Sequence, residues 1–361
     1  MLRTLGIETS CDESAVAVLD RDGRVEVNLL SSQIAAHAPF GGVVPELASR
    51  EHLKALPWLV EEALDAAAEP VELVAVTSGP GLVGALLVGV RFAAALAWGR
   101  SLPLVAVDHL EGHLVSPLLN LEGERAQLEP ARALALVASG GHSSWYLMNR
   151  SDRKRLGRTR DDAAGESFDK VAQVLGLSYP GGPAIDAMAR KGDPEAVALP
   201  RPRLRDAPFD FSFSGLKSAA IRWIREKGLA GAGEDSQQAA DLAASFEAAV
   251  VDQLLAPLDE LARLHDPLVV TVAGGVAANT LLRSRLEAWA RNRGCGVMLP
   301  APALTTDNGV MIAHAGQLAE ASGQRDDPRR LDARAREAWQ PPGMRKAISK
   351  PDSRMHPRGE V

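Results

Sequence analysis

The stretch ALALVASGGHSSWYLMNRSDR, residues 133–153, repeats the pattern of LRTLGIETSCDESAVAVLDRDG, residues 2–23. In each copy an apolar run leads into a turn of small and polar residues, a second apolar run follows, and charged residues close a hairpin. Apolar runs bounded by Gly, Ser and Asp predict strand, turn, strand and hairpin. A unit that occurs in both halves of a chain predicts two related α/β lobes, and chance similarity between two hairpins is the alternative.

Two glycine-rich turns extend this pattern, because Ser78–Gly84 and Ala273–Asn279 each follow an apolar run and precede a helical segment. Free N–H groups at a helix start favour anions, although Ser78–Gly84 matches no known phosphate-loop consensus and could be only a tight packing turn. Two lobes with such turns across a ligand cleft predict the actin-like ATPase fold of actin, sugar kinases and Hsp70 proteins. We expect an N-terminal lobe over residues 1–130 and a C-terminal lobe over 131–340.

The composition sets further bounds. A chain of 361 residues with 46% apolar residues has room for roughly two packed domains. No apolar run is long enough to span a membrane and no signal peptide is present, so we expect a cytoplasmic protein. The net charge of −6 argues against a uniformly basic nucleic-acid binder, but basic clusters at residues 150–160 and 201–205 leave RNA contact open. We expect one amphipathic helix over Ala239–Leu264 and a disordered, charged tail over 341–361.

The segment VDHLEGHL, residues 107–114, has the spacing H-x-x-x-H. If it is helical, His109 and His113 project from one face and can bind one metal ion, whereas two hydrogen-bonded core histidines are the alternative. Zinc proteases have H-E-x-x-H, and Leu110 stands where their catalytic Glu should be. Asp307 would be the oxygen ligand that the pair lacks, contributed by the second lobe, although an Asp at this position is also a common helix cap.

Other acidic residues occur in turns of both lobes. Asp169 and Asp186 flank a Pro/Gly loop and could accept hydrogen bonds from the hydroxyls of a ribose, or could cap helices. Asp12 and Glu13 lie in the first turn, where we expect a phosphate or metal-water site or an ordinary hairpin.

The chain resembles the universal tRNA N6-threonylcarbamoyladenosine transferase family, once called O-sialoglycoprotein endopeptidases, over roughly residues 3–340. Many motifs carry the resemblance in the family's order: GIETSCDES, FGGVVPELASREH, TSGPGLVGALLVG, HLEGH, SGGHS, DDAAGESFDKVA, YPGGPAID, FSFSGLK, AGGVAANTLLR and TDNG. The family implies an actin-like fold and transfer of a threonylcarbamoyl group from threonylcarbamoyl-AMP to N6 of adenosine 37, in tRNAs that read codons beginning with A, with release of AMP.

The same resemblance implies specific site residues. The metal ligands are expected at His109, His113 and Asp307, which would hold one divalent ion, Fe2+ or Zn2+. The donor-binding residues are expected at Val137, Ala138, Ser139, Gly140, Gly141, Asp169, Gly182, Asp186 and Asn279. Asp12 or Glu13 is our candidate for the catalytic proton acceptor. One departure is Ala93-Ala94-Ala95, where family members often carry a Lys.

The resemblance also implies partners, which are tRNA, an inactive actin-like paralogue (TsaB) and an ATPase (TsaE), with no membrane involved. Two other functions stay open at this point. One is a metalloprotease, as the older family name suggests, and the other is a non-catalytic nucleotide-binding scaffold. The presence of all three expected metal ligands argues against the scaffold.

Overall fold

The computed structural model describes residues 1–119, 132–149, 152–233 and 236–336. Within these ranges the chain forms two five-stranded sheets with helices packed against them. The expected tail, residues 341–361, lies outside the described residues, as do Arg150 and Ser151 of the first basic cluster. No helix in the described part of the chain is both long enough and apolar enough to cross a lipid bilayer.

The first sheet consists of β1 (Thr4–Glu8), β2 (Glu13–Leu19), β3 (Val25–Ser32), β4 (Leu73–Gly79) and β5 (Leu104–Asp108), in the order β3-β2-β1-β4-β5. The first three strands are antiparallel neighbours, and β4 and β5 continue the sheet in parallel with β1. The helices of this region are α1 (Ile34–His37), α2 (Pro45–Ala66), α3 (Val83–Gly99) and α4 (His109–Val115).

The second sheet consists of β6 (Ala133–Ala138), β7 (Ser143–Asn149), β8 (Asp152–Arg158), β9 (Val269–Ala273) and β10 (Gly296–Met298), in the order β10-β9-β6-β7-β8. Here too three antiparallel strands are extended by two parallel ones, with β6 in the place of β1. The two sheets have the same strand order and directions, which confirms the predicted repeat of two α/β lobes.

The remaining helices are α5 (Ala164–Leu175), α6 (Gly181–Ala189), α7 (Ser214–Glu226), α8 (Gln237–Leu255), α9 (Leu258–His265), α10 (Thr280–Arg293) and α11 (Gly309–Ala321). The prediction of one helix over Ala239–Leu264 was wrong, since α8 and α9 are separate. The break falls at Ala256 and Pro257, and proline has no N–H with which to continue the helical hydrogen bonds.

Helix α11 packs on the first sheet although it follows the second sheet in sequence. Met311 and Ile312 share an apolar cluster with Leu73 of β4 and Val105 of β5. The expected boundary at residue 130 assigned this helix to the second lobe, and its packing instead places it with the first. The chain therefore leaves the first lobe after α4, builds the second sheet and returns.

The core of the first lobe also includes the position where family members often carry a Lys. Ala94, which takes that position in α3, is 7% exposed and packs with Ala93 among the apolar residues between α3 and the sheet. In this chain the position contributes to packing.

Candidate metal centre and donor site

Helix α4 begins where β5 ends, and this junction places both histidines of the H-x-x-x-H segment. Asp108 caps the helix, because its Oδ1 accepts a hydrogen bond from the backbone N–H of Leu110 at 3.0 Å. His109 and His113 lie on one face with ring centroids 4.6 Å apart, and both are buried. The helical spacing thus brings two imidazoles together.

Asp307 lies in the turn before α11, next to the two histidines. Its Oδ1 is 3.2 Å from Nε2 of His113 and 3.6 Å from Nε2 of His109. The cap of α11 is the neighbouring Asn308, whose side chain accepts from the backbone N–H of Met311. Asp307 is therefore not used as a helix cap, and the ligand atoms of the three residues all lie within 4.8 Å of one another.

From the sequence we expected Asp307 to come from the second lobe. Because α11 packs on the first sheet, Asp307 comes from the first lobe instead. His109 and His113 lie in α4, and Asp307 lies just before α11. Both helices contact the first sheet and each other. The second lobe contributes the opposite wall of the site.

The hydrogen bonds of the histidines show that this cluster fits a metal ion. Nδ1 of His109 lies 3.0 Å from a carboxylate oxygen of Glu8 and 3.2 Å from the hydroxyl of Ser10. Since an ionised carboxylate can only accept, Nδ1 donates to Glu8, and the hydroxyl can accept as well. In the neutral ring, Nε2 then presents a lone pair toward Asp307. Nδ1 of His113 is buried without a hydrogen-bond partner among the described residues, and its buried Nε2 faces the Asp307 carboxylate at 3.2 Å. Two buried imidazoles beside one carboxylate are a ligand set that suits a divalent cation.

The electrostatics of the cluster also favour a positive charge at this point. Burial alone would lower the pKa of His109, but the carboxylates of Asp307 and Glu8 reverse this effect and raise it to about 9. Burial would likewise raise the pKa of Asp307, and the nearby His109 and His113 hold it well below its ordinary value instead. Without a metal, the two carboxylates favour a protonated, positively charged His109. A divalent ion would supply that positive charge instead.

The expected donor turn faces the histidines. Val137 and Ala138 end β6, and Ser139, Gly140 and Gly141 form the turn into β7. The backbone N–H of Ser139 donates to the carbonyl of His142 at 2.7 Å, which closes the turn. Gly140 and Gly141 have open space at the positions of their missing Cβ atoms, so a ligand can approach their backbone closely.

His142, which follows this turn, was not among the residues expected to act in the site. Its ring lies 6.5 Å, centroid to centroid, from that of His109. Burial, together with the neighbouring histidines, lowers the pKa of His142 to about 4, so the ring is neutral at pH 7. Its position directly after the glycine turn was the signal available in the sequence.

Asp169 contacts the start of α6. Its Oδ1 accepts a hydrogen bond from the backbone N–H of Gly181 at 2.7 Å, which ties α5 to the first turn of α6, where Gly182 lies. Burial raises the pKa of the Asp169 carboxyl. The structure thus places Asp169 against the residue that precedes Gly182.

A second polar group joins α6, α8 and α10. Asp186 accepts from the backbone N–H and hydroxyl of Thr280, at 2.9 and 2.7 Å, and pairs with Arg190. Asn279 donates to Asp186 and, at 2.6 Å, to Glu247 of α8. Glu247 was missed from the sequence, where it reads as one acidic residue in a long apolar helix. Burial raises its pKa to about 7.

The two candidate proton acceptors have different surroundings. Asp12 accepts a hydrogen bond at 3.3 Å from the hydroxyl of Tyr179, which belongs to the second lobe. Glu13 accepts from the hydroxyl of Ser32 at 3.0 Å with one oxygen, and its other oxygen is buried without a hydrogen-bond partner in the described structure. Burial, reinforced by the charges of Asp12 and Asp307, raises the pKa of Glu13 to about 7.

Helix α4 also connects the two lobes. Leu110 and Leu114 pack on the second sheet, in an apolar cluster with Val137. Glu111 turns away from the histidines and pairs with Arg153 of β8 at 3.2 Å. The group of His109, His113 and Asp307 therefore lies at the junction of the lobes. Glu111 contacts the second lobe instead of the place where a protease would need a base.

Solved structures with a similar fold include HypF proteins. Full-length HypF in a phosphate- and nucleotide-bound form matches 89% of this chain and 56% of its own with a TM-score of 0.55 at 12% identity. HypF of T. kodakarensis matches 89% of this chain and 48% of its own with a TM-score of 0.56 at 14% identity. The fold is the actin-like ATPase fold with two lobes, as predicted.

The sequence comparisons are more specific. The family model of TsaD, tRNA N6-adenosine threonylcarbamoyltransferase, matches residues 24–314. Proteins of that name from Aromatoleum aromaticum (46% identical, 90% of this chain and 93% of theirs), Geobacter sulfurreducens (49%, 86% and 90%) and Anaeromyxobacter dehalogenans (47%, 94% and 99%) are similar over nearly their whole length. The chain belongs to the tRNA N6-adenosine threonylcarbamoyltransferase family.

Proposed function

We propose that the interlobe cleft transfers the threonylcarbamoyl group of threonylcarbamoyl-AMP to N6 of adenosine 37, in tRNAs that read codons beginning with A. The enzyme is a transferase that forms threonylcarbamoyladenosine on tRNA. The observation that carries it is the cluster of His109, His113 and Asp307 opposite the glycine turn at residues 139–141. Since tRNA is the substrate, we place the reaction in the cytoplasm.

His109, His113 and Asp307 would hold one divalent ion, and histidine with carboxylate suits both Fe2+ and Zn2+. With three protein ligands, such an ion keeps open positions and supplies Lewis acidity toward the donor. The backbone N–H groups of Gly140 and Gly141 would bind the donor's phosphate, as amides in small-residue turns do. Asp169, Gly182, Asp186 and Asn279 would orient the adenylate part, with Glu247 beside them.

The reaction needs little covalent chemistry from the protein. The N6 amine attacks the carbonyl carbon of the mixed anhydride, a C–N bond forms, and the C–O bond to phosphate breaks as AMP leaves with the electron pair. Holding the donor and N6 in line can lower the barrier by up to about 7–11 kcal/mol. The polar groups from both lobes that line this cleft are suited to that task.

Glu13 is our proposed acceptor for the N6 proton. Its pKa of about 7 leaves the carboxyl near half ionisation at neutral pH, where a general base works best. Its buried second oxygen has no hydrogen-bond partner in the described structure and can take a proton. Asp12 is the weaker candidate, because the hydroxyl of Tyr179 already donates to it.

The test is an in vitro transfer assay with chemically supplied threonylcarbamoyl-AMP, tRNA and any partners that activity requires. His113→Ala should lose both metal and product, and Glu13→Gln should keep the metal but lose about 10²–10⁴-fold in the transfer rate. Product from His113→Ala at the wild-type rate would overturn the metal assignment. A wild-type rate in Glu13→Gln would overturn the base.

For the tRNA we propose the basic clusters at residues 150–160 and 201–205. Lys154, Arg158, Arg203 and Arg205 are exposed, and Lys154 and Arg158 belong to the edge strand β8. Charge reversal of Arg203 and Arg205 should weaken tRNA binding and flatten its salt dependence. An equal effect from Arg329→Glu, on a distant exposed residue, would contradict a specific surface.

We also propose that the actin-like paralogue, TsaB, docks on α2 and α3, while the ATPase TsaE joins the assembly. These two helices pack against each other and expose Leu53, Trp58, Leu87 and Trp98. Exposed apolar side chains on adjacent helices mark protein interfaces. Leu87→Glu should abolish co-elution with the paralogue, whereas Leu30→Glu, an exposed leucine of β3, should not; co-elution of Leu87→Glu would reject this face.

A further inference from the structure

Glu8 is a buried carboxylate at the end of β1, and neither the family comparison nor the sequence pattern assigns it a role. It is fully buried. Its Oε2 accepts a hydrogen bond from the hydroxyl of Thr77 at 2.6 Å and lies 3.0 Å from Nδ1 of His109, and its Oε1 accepts from the backbone N–H of Ser10. A buried charge is costly unless it is fully paired, and here every contact is a donor.

The sheet fixes this arrangement. Strands β1 and β4 are parallel neighbours with Ile7 opposite Val76, so Glu8 and Thr77 are adjacent at the carboxyl ends of their strands. His109 starts the helix that follows β5, the next strand of the sheet. Glu8 thus receives one hydrogen bond from the end of β4 and one from the turn after β1, and its Oε2 also faces the imidazole.

We propose that Glu8 is a positioning residue that holds His109 with the proton on Nδ1 and so keeps Nε2 available as a metal ligand. The inference rests on the proposed metal site and deepens it. A carboxylate that binds the far nitrogen of a ligating histidine fixes both the tautomer and the ring orientation, and its loss costs about 10–100-fold in metal affinity.

The geometry makes Glu8→Gln an informative substitution. The backbone N–H of Ser10 requires an acceptor at one end of the side chain, so the glutamine oxygen takes that place. Its NH2 group then faces His109 and must donate to Nδ1, which forces the proton onto Nε2, the nitrogen that should bind the metal. Replacement of one carboxylate oxygen by an NH2 group, with the shape retained, reverses the tautomer.

The experiment measures the affinity of the full-length protein for Zn2+ by competition with a chromophoric chelator, and follows the absorption spectrum of the Co2+ form. Glu8→Gln should bind about 10–100-fold more weakly with an altered Co2+ spectrum. Thr77→Val is the matched control, because it removes another hydrogen bond to the same carboxylate without touching His109, and its affinity should stay within about threefold of wild type.

Equal affinity in Glu8→Gln and wild type overturns the inference, and so does an equal loss in Glu8→Gln and Thr77→Val. If Glu8→Gln does not fold, Glu8→Asp replaces it. This side chain keeps the charge but is one methylene too short to reach His109, and unchanged affinity there also overturns the inference. His113→Ala tests the metal site separately from the role of Glu8, because unchanged Zn2+ affinity in that variant rejects the metal site itself.

Discussion

The contact between Gly6 and the start of α11 should control the metal site from a distance. A Cβ atom at Gly6 would lie 2.5 Å from the backbone nitrogen and 2.7 Å from the Cβ of Ala313, and closer still to the carbonyl oxygen of Gly309. Ordinary contacts between such atoms are about 3.5–4.0 Å, so Gly6→Ala must push α11 outward by roughly 1 Å. Asp307 stands two residues before this helix.

The cost of Gly6→Ala has two parts. Overpacking by one methyl group costs about 1–3 kcal/mol, and we expect the upper end because backbone atoms cannot rotate away. Misplacing a group of the active site by about 1 Å can cost about 100-fold in rate. The variant should therefore unfold at lower urea concentration, bind Co2+ more weakly and form product about 100-fold more slowly.

Urea unfolding, Co2+ titration and the transfer assay measure these three effects. Gly99→Ala is the control, because Gly99 is exposed in the last turn of α3 with nothing within 4 Å of an added Cβ. It should be neutral, or more stable by up to about 1 kcal/mol. A Gly6→Ala protein with wild-type stability and Co2+ affinity would refute the close packing of α11 as the device that places Asp307.

Three other outcomes follow from the site and its surroundings. Zn2+ at about 100 times its Kd should raise the free energy of unfolding by about 2.7 kcal/mol, a gain that chelation or His113→Ala removes in urea melts. The pKa of Glu247 is raised from 4.5 to about 7, so its protonated carboxyl stabilises the folded state below pH 4.5. The free energy of unfolding should fall by at most about 3 kcal/mol as the pH rises to 7. Glu247→Gln should abolish this loss between pH 5 and 8. Arg153→Gln, which breaks the partly exposed pair with Glu111, should lower stability by less than about 1 kcal/mol in the same melts, and a larger loss would show that this pair holds the lobes together.

The sequence predicts the local features of this protein well. The repeated hairpins and the H-x-x-x-H segment can be recognised because strand alternation and helical spacing are properties of neighbouring residues. The two related lobes followed from that repeat, and the fold is confirmed. The expected site residues remain predictions, of which the structure brings His109, His113 and Asp307 into one group and Asp186 and Asn279 into another.

What the sequence could not give depends on contacts between distant residues. Glu8 reads as the last residue of a strand, and only the neighbouring Thr77 and the helix after β5 reveal its contact with His109. Asp307 and Asn308 are equally good caps on paper, and the hydrogen bond from Met311 decides between them. The packing of α11 on the first sheet has no local signal, because the sequence of a helix does not say which of two sheets it will cover.

Because α11 packs on a sheet that is synthesised much earlier, the first lobe can be completed only late in synthesis. As the chain leaves the ribosome, the strands that carry Leu73 and Val105 are made long before the helix that covers them. Contacts between such distant segments form late and slow the folding of a domain. The first lobe must therefore wait for residues 309–321, and the same late step delivers Asp307. A nascent or truncated chain that lacks this helix would present the two histidines without Asp307. The proposed metal site would therefore be complete only after α11 has packed on the first sheet.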